Sequence, residues 1–113
     1  MLRIVMGKDN DFIEPHGTLS FRGDFLVFRE AVRKAQKHRK AYVLLNMRYC
    51  SRVSELGWLE IQRAHFEFTK EGGALKMVNL SGEVRRSDKP DVLRDIEVYD
   101  SVKDARESIG TKR

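Results

Sequence analysis

Ser54 is the residue of this sequence best placed to take part in chemistry. An apolar, strand-like run ends at Asn46, a short polar turn follows, and Leu56, Gly57 and Leu59 open an amphipathic run just after the serine. A serine at that point is an ordinary helix N-cap, its hydroxyl accepting from a backbone N–H of the first turn. The same position suits a phosphate, because the unpaired N–H groups and the dipole of a helix N-terminus favour an anion. On the sequence both readings stand.

Other reactive residue types resolve more simply. Cys50 lies between Arg48 and Arg52, whose charges could lower its pKa; the competing reading is an inert, partly buried thiol in the turn. His16, His38 and His65 are far apart, and none has a carboxylate or cysteine at metal-ligand spacing, so they read as surface or structural histidines. Gly72–Gly73 reads as a helix stop, since no phosphate-cradling glycine pattern is present. No paired acid and base, no nucleophile–base pattern and no cofactor signature occurs, so the sequence offers nothing an enzyme would need. Trp58 falls in the first helical turn after Gly57. It is either core packing or an exposed docking anchor, a role in which tryptophans are enriched.

These residues need elements to hold them. Leu2 to Met6 reads as a first strand and Phe12 to Phe21 as a second, in which Pro15 and Gly17 argue for an edge position or a bulge. Asp24, after Gly23, is placed to cap a helix in which Phe25, Phe28, Val32 and Ala35 recur at helical spacing through about Lys37. Tyr42 to Met47 is a continuous apolar strand of the kind buried on both faces. A helix from Ser54 to Lys70 sets Leu56, Leu59 and Arg63 along one line, with Ile61, Ala64 and Phe68 beside it. Ala74 to Leu80 is another buried-type strand. Ser81 to Arg94 is polar, contains Pro90, and reads as at best a short or broken helix. Ile96 to Tyr99 is a short strand, and Ser101 caps a last helix with Val102, Ala105 and Ile109 on one face. The order β-β-α-β-α-β-α-β-α, its third helix the doubtful segment, implies an α/β fold: a mixed, mostly parallel sheet of about five strands with helices packed on it.

The bulk numbers agree. The chain has 113 residues, 41% of them hydrophobic and 35% charged, which suits one domain over 1–113 with Gly110 to Arg113 fraying at the end. No apolar run is long enough to span a membrane, the N-terminal burst is too short for a signal-peptide core, and a lone cysteine excludes an internal disulfide; a cytoplasmic location is expected. The net charge of +5 collects at Arg33 to Lys40, at Arg85, Arg86 and Lys89, and at Lys112–Arg113. The first cluster reads as a solvated helix face with cations near its C-terminus, in preference to a nucleic-acid surface.

With the local sequences, this order resembles the STAS domain, the family of bacterial anti-sigma factor antagonists. Gly17-Thr18-Leu19 is similar to the family's glycine, any residue, leucine at the end of its second strand, and Leu44-Leu45-Asn46-Met47 to its central strand, which usually ends in Asp-Leu. Ser54-Glu55-Leu56-Gly57 aligns with the latter part of the family's Asp-Ser-Ser-Gly-Leu-Gly signature. Ala74 to Leu80 resembles its next strand, and Val98-Tyr99-Asp100-Ser101 with Asp104-Ala105 its closing strand and helix start. The resemblance implies a binding module of signal transduction and transcription regulation that docks onto an anti-sigma factor or serine kinase-like partner and is released when the second serine of the signature takes a phosphate. That serine corresponds to Ser54, and Leu56 and Gly57 match the helix start behind it.

The chain departs from the pattern at Arg52, where the family has Asp, at Val53, which replaces the first serine, and at Glu55, which replaces glycine. Its turn after Met47 is shorter, and Ser81 to Leu93 lacks the leucine-rich helix. The expected docking surface is Arg52, Val53, Ser54, Glu55, Leu56, Gly57 and Trp58, with the exposed helix face to Lys70. Two alternatives stand beside the partner switch: an unphosphorylated subunit or scaffold of a larger complex, favoured by the altered flanks of Ser54, and a basic nucleic-acid-binding module using Arg33 to Lys40 and Arg85–Arg86.

Overall fold

The two most apolar stretches form the centre of the sheet. The computed structural model describes residues 2–38, 41–80 and 95–110. Its elements are β1 (Arg3–Met6), β2 (Phe12–Leu19), α1 (Arg22–Lys37), β3 (Tyr42–Asn46), β4 (Cys50–Val53), α2 (Glu55–Thr69), β5 (Ala74–Val78), β6 (Val98–Tyr99) and α3 (Val102–Gly110). The doubtful helix of Ser81 to Arg94, with Arg85, Arg86 and Lys89, lies outside the described residues, as do Arg39, Lys40, Lys112 and Arg113.

The strands run in the order β1-β2-β3-β5-β6, with β4 beside β2. Among the described residues only β1 and β2 are antiparallel; the other pairs are parallel. The expected mixed, mostly parallel sheet with helices packed on it is therefore present, with six strands among the described residues where about five were expected. Helices α1 and α2 cover one face, packing Phe28, Val32, Trp58, Ile61 and Phe68 onto Ile13, Val43, Leu45, Leu75 and Met77. Helix α3 covers part of the other, where Ala105 meets Leu44 and Val78, flanked by Phe12 and Tyr99. Alternate residues of β3 thus enter opposite cores, as a strand between two helical layers requires.

The additional strand is β4. The stretch between Met47 and Ser54 reads as a polar turn, yet Cys50–Val53 pairs in parallel with the second half of β2. Only Cys50 and Val53 of this strand are buried, while Ser51 and Arg52 face outward, so no apolar run announces it. Strand β2 changes partner along its length: Phe12 and Ile13 lie against β3, and Gly17, Thr18 and Leu19 against β4, with a register shift between Gly17 and Thr18. Pro15 falls between these two sets. It is neither on an edge strand nor in the irregularity; its missing N–H faces the gap where one partner ends and the next begins.

Asp24 does not cap α1. Phe21 occupies the N-cap position and Asp24 sits two residues inside the helix, reaching back to the cap, one arm of a capping box. At the far end of α2, Gly73 approaches β3 so closely that a Cβ would lie 1.8 Å from the Ala41 carbonyl oxygen, which explains the residue type beyond a helix stop.

Candidate functional site

Ser54 caps α2. Its backbone is extended (φ −77, ψ 170) and its Oγ accepts from the Gly57 N–H at 3.1 Å. Its own N–H donates to the Leu19 carbonyl at 3.1 Å, and the hydroxyl lies 3.4 Å from the Ser20 carbonyl oxygen and 3.5 Å from that of Leu19. The C-terminal end of β2 is therefore the seat of the α2 N-terminus. Gly57 makes this close seating achievable, because a Cβ there would stand 2.2 Å from the same Leu19 oxygen and 2.9 Å from Val53 Cγ1.

The residues expected to form the docking surface divide into two groups. Arg52 and Glu55 are exposed, Leu56 is 60% exposed, and Ser54 lies at partial exposure between them. Val53, Gly57 and Trp58 are buried. Trp58, 1% exposed, belongs to the main core, because one helical position separates it from the outward Leu56–Leu59 line. Val53 points inward as the last residue of β4. These three residues support the surface and do not form it.

Phe21, expected as the end of the second strand, lies two residues beyond β2 and is 71% exposed. It follows Ser20, whose carbonyl adjoins the Ser54 hydroxyl, so an exposed aromatic flanks the site. Its signal in the sequence was a large aromatic two residues before Gly23–Asp24, at a helix start. Along α2 the outward line continues through Leu59 and Phe66, 43% and 50% exposed, which border a shallow groove with Gln62, Arg63 and Lys70.

Asp24 and Glu60 are committed to structure. Asp24 is 4% exposed. Its Oδ2 accepts from the N–H groups of Ser20 at 3.1 Å and Phe21 at 3.0 Å and from the Thr18 hydroxyl at 3.3 Å; its Oδ1 accepts from Leu2 N–H at 3.0 Å. Burial alone would raise its pKa, but these hydrogen bonds together hold it below the ordinary carboxylate value. Arg29 on α1 grips Glu60 on α2 with two hydrogen bonds, 2.6 Å and 2.8 Å. The hydrogen bond from Arg29 holds the Glu60 pKa low against the opposing effect of burial, with the charges of Arg29 and Arg63 assisting.

The histidines do not converge, and the described residues contain no cluster fit to hold a metal. His65 is pushed to a lower pKa chiefly by burial, and its Nδ1 takes the Leu75 N–H at 3.2 Å, so it packs neutral between α2 and β5. His16 is paired with Glu14 at 2.8 Å and stacks on Tyr49 with ring centroids 4.7 Å apart. Of the first basic cluster, Arg33 pairs with Glu30 at 3.0 Å, and Arg33, Lys34 and Lys37 line the outer face of α1 as solvated cations.

Cys50 is inert. It is 1% exposed, its Sγ contacts the Arg52 carbonyl at 3.6 Å, and burial pushes its pKa up despite that contact. A thiol-disulfide reagent at neutral pH is expected to label the native protein at least about a hundredfold more slowly than the urea-unfolded chain. Comparable rates would show that the thiol is open to solvent.

No family model matches the chain, and no curated protein matches it. Solved structures do. The crystal structure of a Thermotoga maritima protein, TM1081, described as an anti-sigma factor antagonist, superposes with a TM-score of 0.72 at 16% identity, covering 97% of this chain and 95% of that one. The NMR structure of TM1081 gives 0.75 at 14% identity, covering 97% and 89%. The anti-sigma factor antagonist SpoIIAA in its unphosphorylated form gives 0.67 at 12% identity, covering 98% of each chain. The chain has the fold of these antagonists, as the resemblance to the STAS domain implied. Among the described residues no helix is long and apolar enough to cross a membrane.

Proposed function

We propose that this chain is a protein-interaction domain of a partner-switching pathway, binding an anti-sigma factor or a serine kinase-like partner and released by phosphorylation of Ser54. The observation that carries the proposal is the setting of the Ser54 hydroxyl. It sits at the N-terminus of α2, on the fold of the anti-sigma factor antagonists, between the exposed apolar side chains of Phe21 and Leu56. The partner contact is made by Phe21, Arg52, Ser54, Glu55 and Leu56 and continues along Leu59 and Phe66. Val53, Gly57 and Trp58 hold that surface in place.

The geometry supplies a physical switch. The hydroxyl has two carbonyl oxygens within 3.5 Å to which it can donate. A phosphoserine has no hydroxyl proton to give and adds about −1.5 to −2 charge, which those carbonyls and Glu55 repel. The phosphate must turn outward, toward Arg52 and the docking face, where it places charge and bulk against the apolar rim. Arg52 can pair with it in bidentate fashion. One observation favours a second reading, a constitutive subunit: exposed Glu55 already supplies negative charge beside Ser54, which reduces the contrast a phosphate provides.

The test is affinity capture from host lysate with wild type and Ser54→Asp as parallel baits, with phosphosite mapping. Wild type is expected to capture an ATP-binding kinase-like protein and to carry phosphate on Ser54, and the Asp variant to bind that partner at least about tenfold more weakly, about 1.4 kcal/mol. If both baits hold the same complex and Ser54 is never modified, the partner switch is excluded and Ser54 is a helix cap.

A further inference from the structure

The outer edge of β1 has pairing capacity that the fold leaves unused. β1 pairs with β2 through Arg3↔His16, Ile4↔Pro15, Val5↔Glu14 and Met6↔Ile13, and among the described residues no strand lies on its other side. Proline has no N–H, so Ile4↔Pro15 is the kind of antiparallel pair that exchanges no hydrogen bonds, and such pairs alternate with bonded ones. Arg3 and Val5 therefore direct their backbone polar groups to β2, and Ile4 and Met6 direct theirs outward. Beside this edge the side chains of Ile4 and Met6 form a shallow groove with Leu26, Val27, Glu30 and Lys34 of α1. Val5, Leu26 and Val27 are 43%, 54% and 37% exposed. Natural edge strands are commonly blunted by lysine, proline or a bulge; β1 has none of these, and its one charge is Arg3 at its start.

We propose that two copies of this chain associate through β1, pairing antiparallel about a two-fold axis at Val5. Hydrogen bonding selects this register. With the axis at Val5, Ile4 faces the partner's Met6 and Met6 the partner's Ile4, so every outward N–H and C=O of the strand is used. An axis at Ile4 would call on Leu2, whose N–H is already given to Asp24. The Val5-centred register also sets the two Val5 side chains opposite one another in a non-bonded pair, where strands come closest, and so covers an exposed apolar residue with its own copy. Each groove carries one basic residue, Lys34, a helical turn beyond Glu30, and Glu30 is already paired with Arg33 of its own helix. The contact is isologous and closes as a dimer.

Register makes the test specific. Val5→Cys places two thiols across a non-bonded pair, at a Cα separation of about 4.5 Å, within the span a disulfide bridges. Mild oxidation is expected to convert this variant to a covalent dimer, with buried Cys50 as a silent background. Arg3→Cys, which faces the partner's Gly7, is expected to form no covalent dimer under the same oxidation. In sedimentation, the unmodified protein is expected to show a mass that rises with concentration up to about 100 μM, and Val5→Lys to weaken self-association at least about tenfold, with an unchanged circular dichroism spectrum. A monomeric wild type with no Val5→Cys cross-link, equal cross-linking at both cysteine positions, or a dimer indifferent to Val5→Lys would each overturn the proposal. None of these readouts involves Ser54.

Discussion

Replacing Gly57 with alanine is expected to destabilise the protein by about 3 kcal/mol, lowering the thermal midpoint by more than about 10 °C. Helix propensity predicts the opposite sign, because alanine inside a helix is better than glycine by about 1 kcal/mol. Sterics decide the matter. The new methyl would stand 2.2 Å from the Leu19 carbonyl oxygen, a backbone atom of the residue that β2 pairs with Val53 of β4, so α2 must withdraw from β2. Withdrawal lengthens the Ser54 N–H bond to that same oxygen and loosens Trp58 in the core. Gly23 supplies the contrast: nothing stands within 4 Å of a Cβ built there, so Gly23→Ala should leave stability unchanged or raise it slightly. Urea titrations of both variants against wild type check this. A Gly57→Ala midpoint at or above wild type would mean that the helix start is not seated on β2 as described.

Asp24→Asn is the second substitution with a large expected cost, about 2–4 kcal/mol at neutral pH. The change preserves volume but turns one acceptor oxygen into an amide that cannot accept. The carboxylate receives three backbone N–H groups and one hydroxyl, so at least one buried donor loses its partner. The variant should also alter the pH dependence of stability. In the folded protein the Asp24 pKa is lowered. Its contribution is therefore fully present above the unfolded-state value of about 3.9 and is lost as pH falls from there through the folded value. Glu60, lowered by Arg29, adds a slope of the same sign. The measurement is thus the difference between wild type and variant: the gap in urea midpoint should be wide at neutral pH and should narrow as pH falls below about 4. A constant gap would assign the loss to packing.

Elements with one dominant signal were legible in the sequence. Tyr42–Asn46 and Ala74–Val78 are mostly apolar because both faces are covered, the exceptions being Asn46 and the fully buried Lys76, and a run of that kind admits few other readings. Ser54 was legible as a cap because serine type, apolar spacing and position coincide, and the structure gives it the cap hydrogen bond. Elements whose character comes from a distant partner were not legible. Cys50–Val53 becomes a strand because β2 offers it a free edge, and CSRV does not reveal that edge. Asp24 was recognised as a helix-start residue, but its place inside the first turn depends on Leu2, just before β1, and Thr18 of β2, which converge on it. Trp58 could not be oriented, since one residue of helical phase separates the core from the docking face. Phe21 was not legible as a surface residue because it reads as the last residue of the second strand, Phe12 to Phe21.

The divided pairing of β2 also governs how the chain is made. Gly17 and Ser51, joined by a side-chain bond to a carbonyl, are 34 positions apart, and α1 and β3 lie between them. As the polypeptide leaves the ribosome, N-terminal residues first, β2 can fold against β1 at once, but its second half has no neighbour until Cys50–Val53 emerges. For that interval Gly17–Leu19 is an open strand end, and only the arrival of β4 closes it and gives α2 a seat. Contacts of such sequence separation form late, so the surface around Ser54 exists only once both halves of β2 are engaged, and a nascent chain stalled before Val53 would present no docking face.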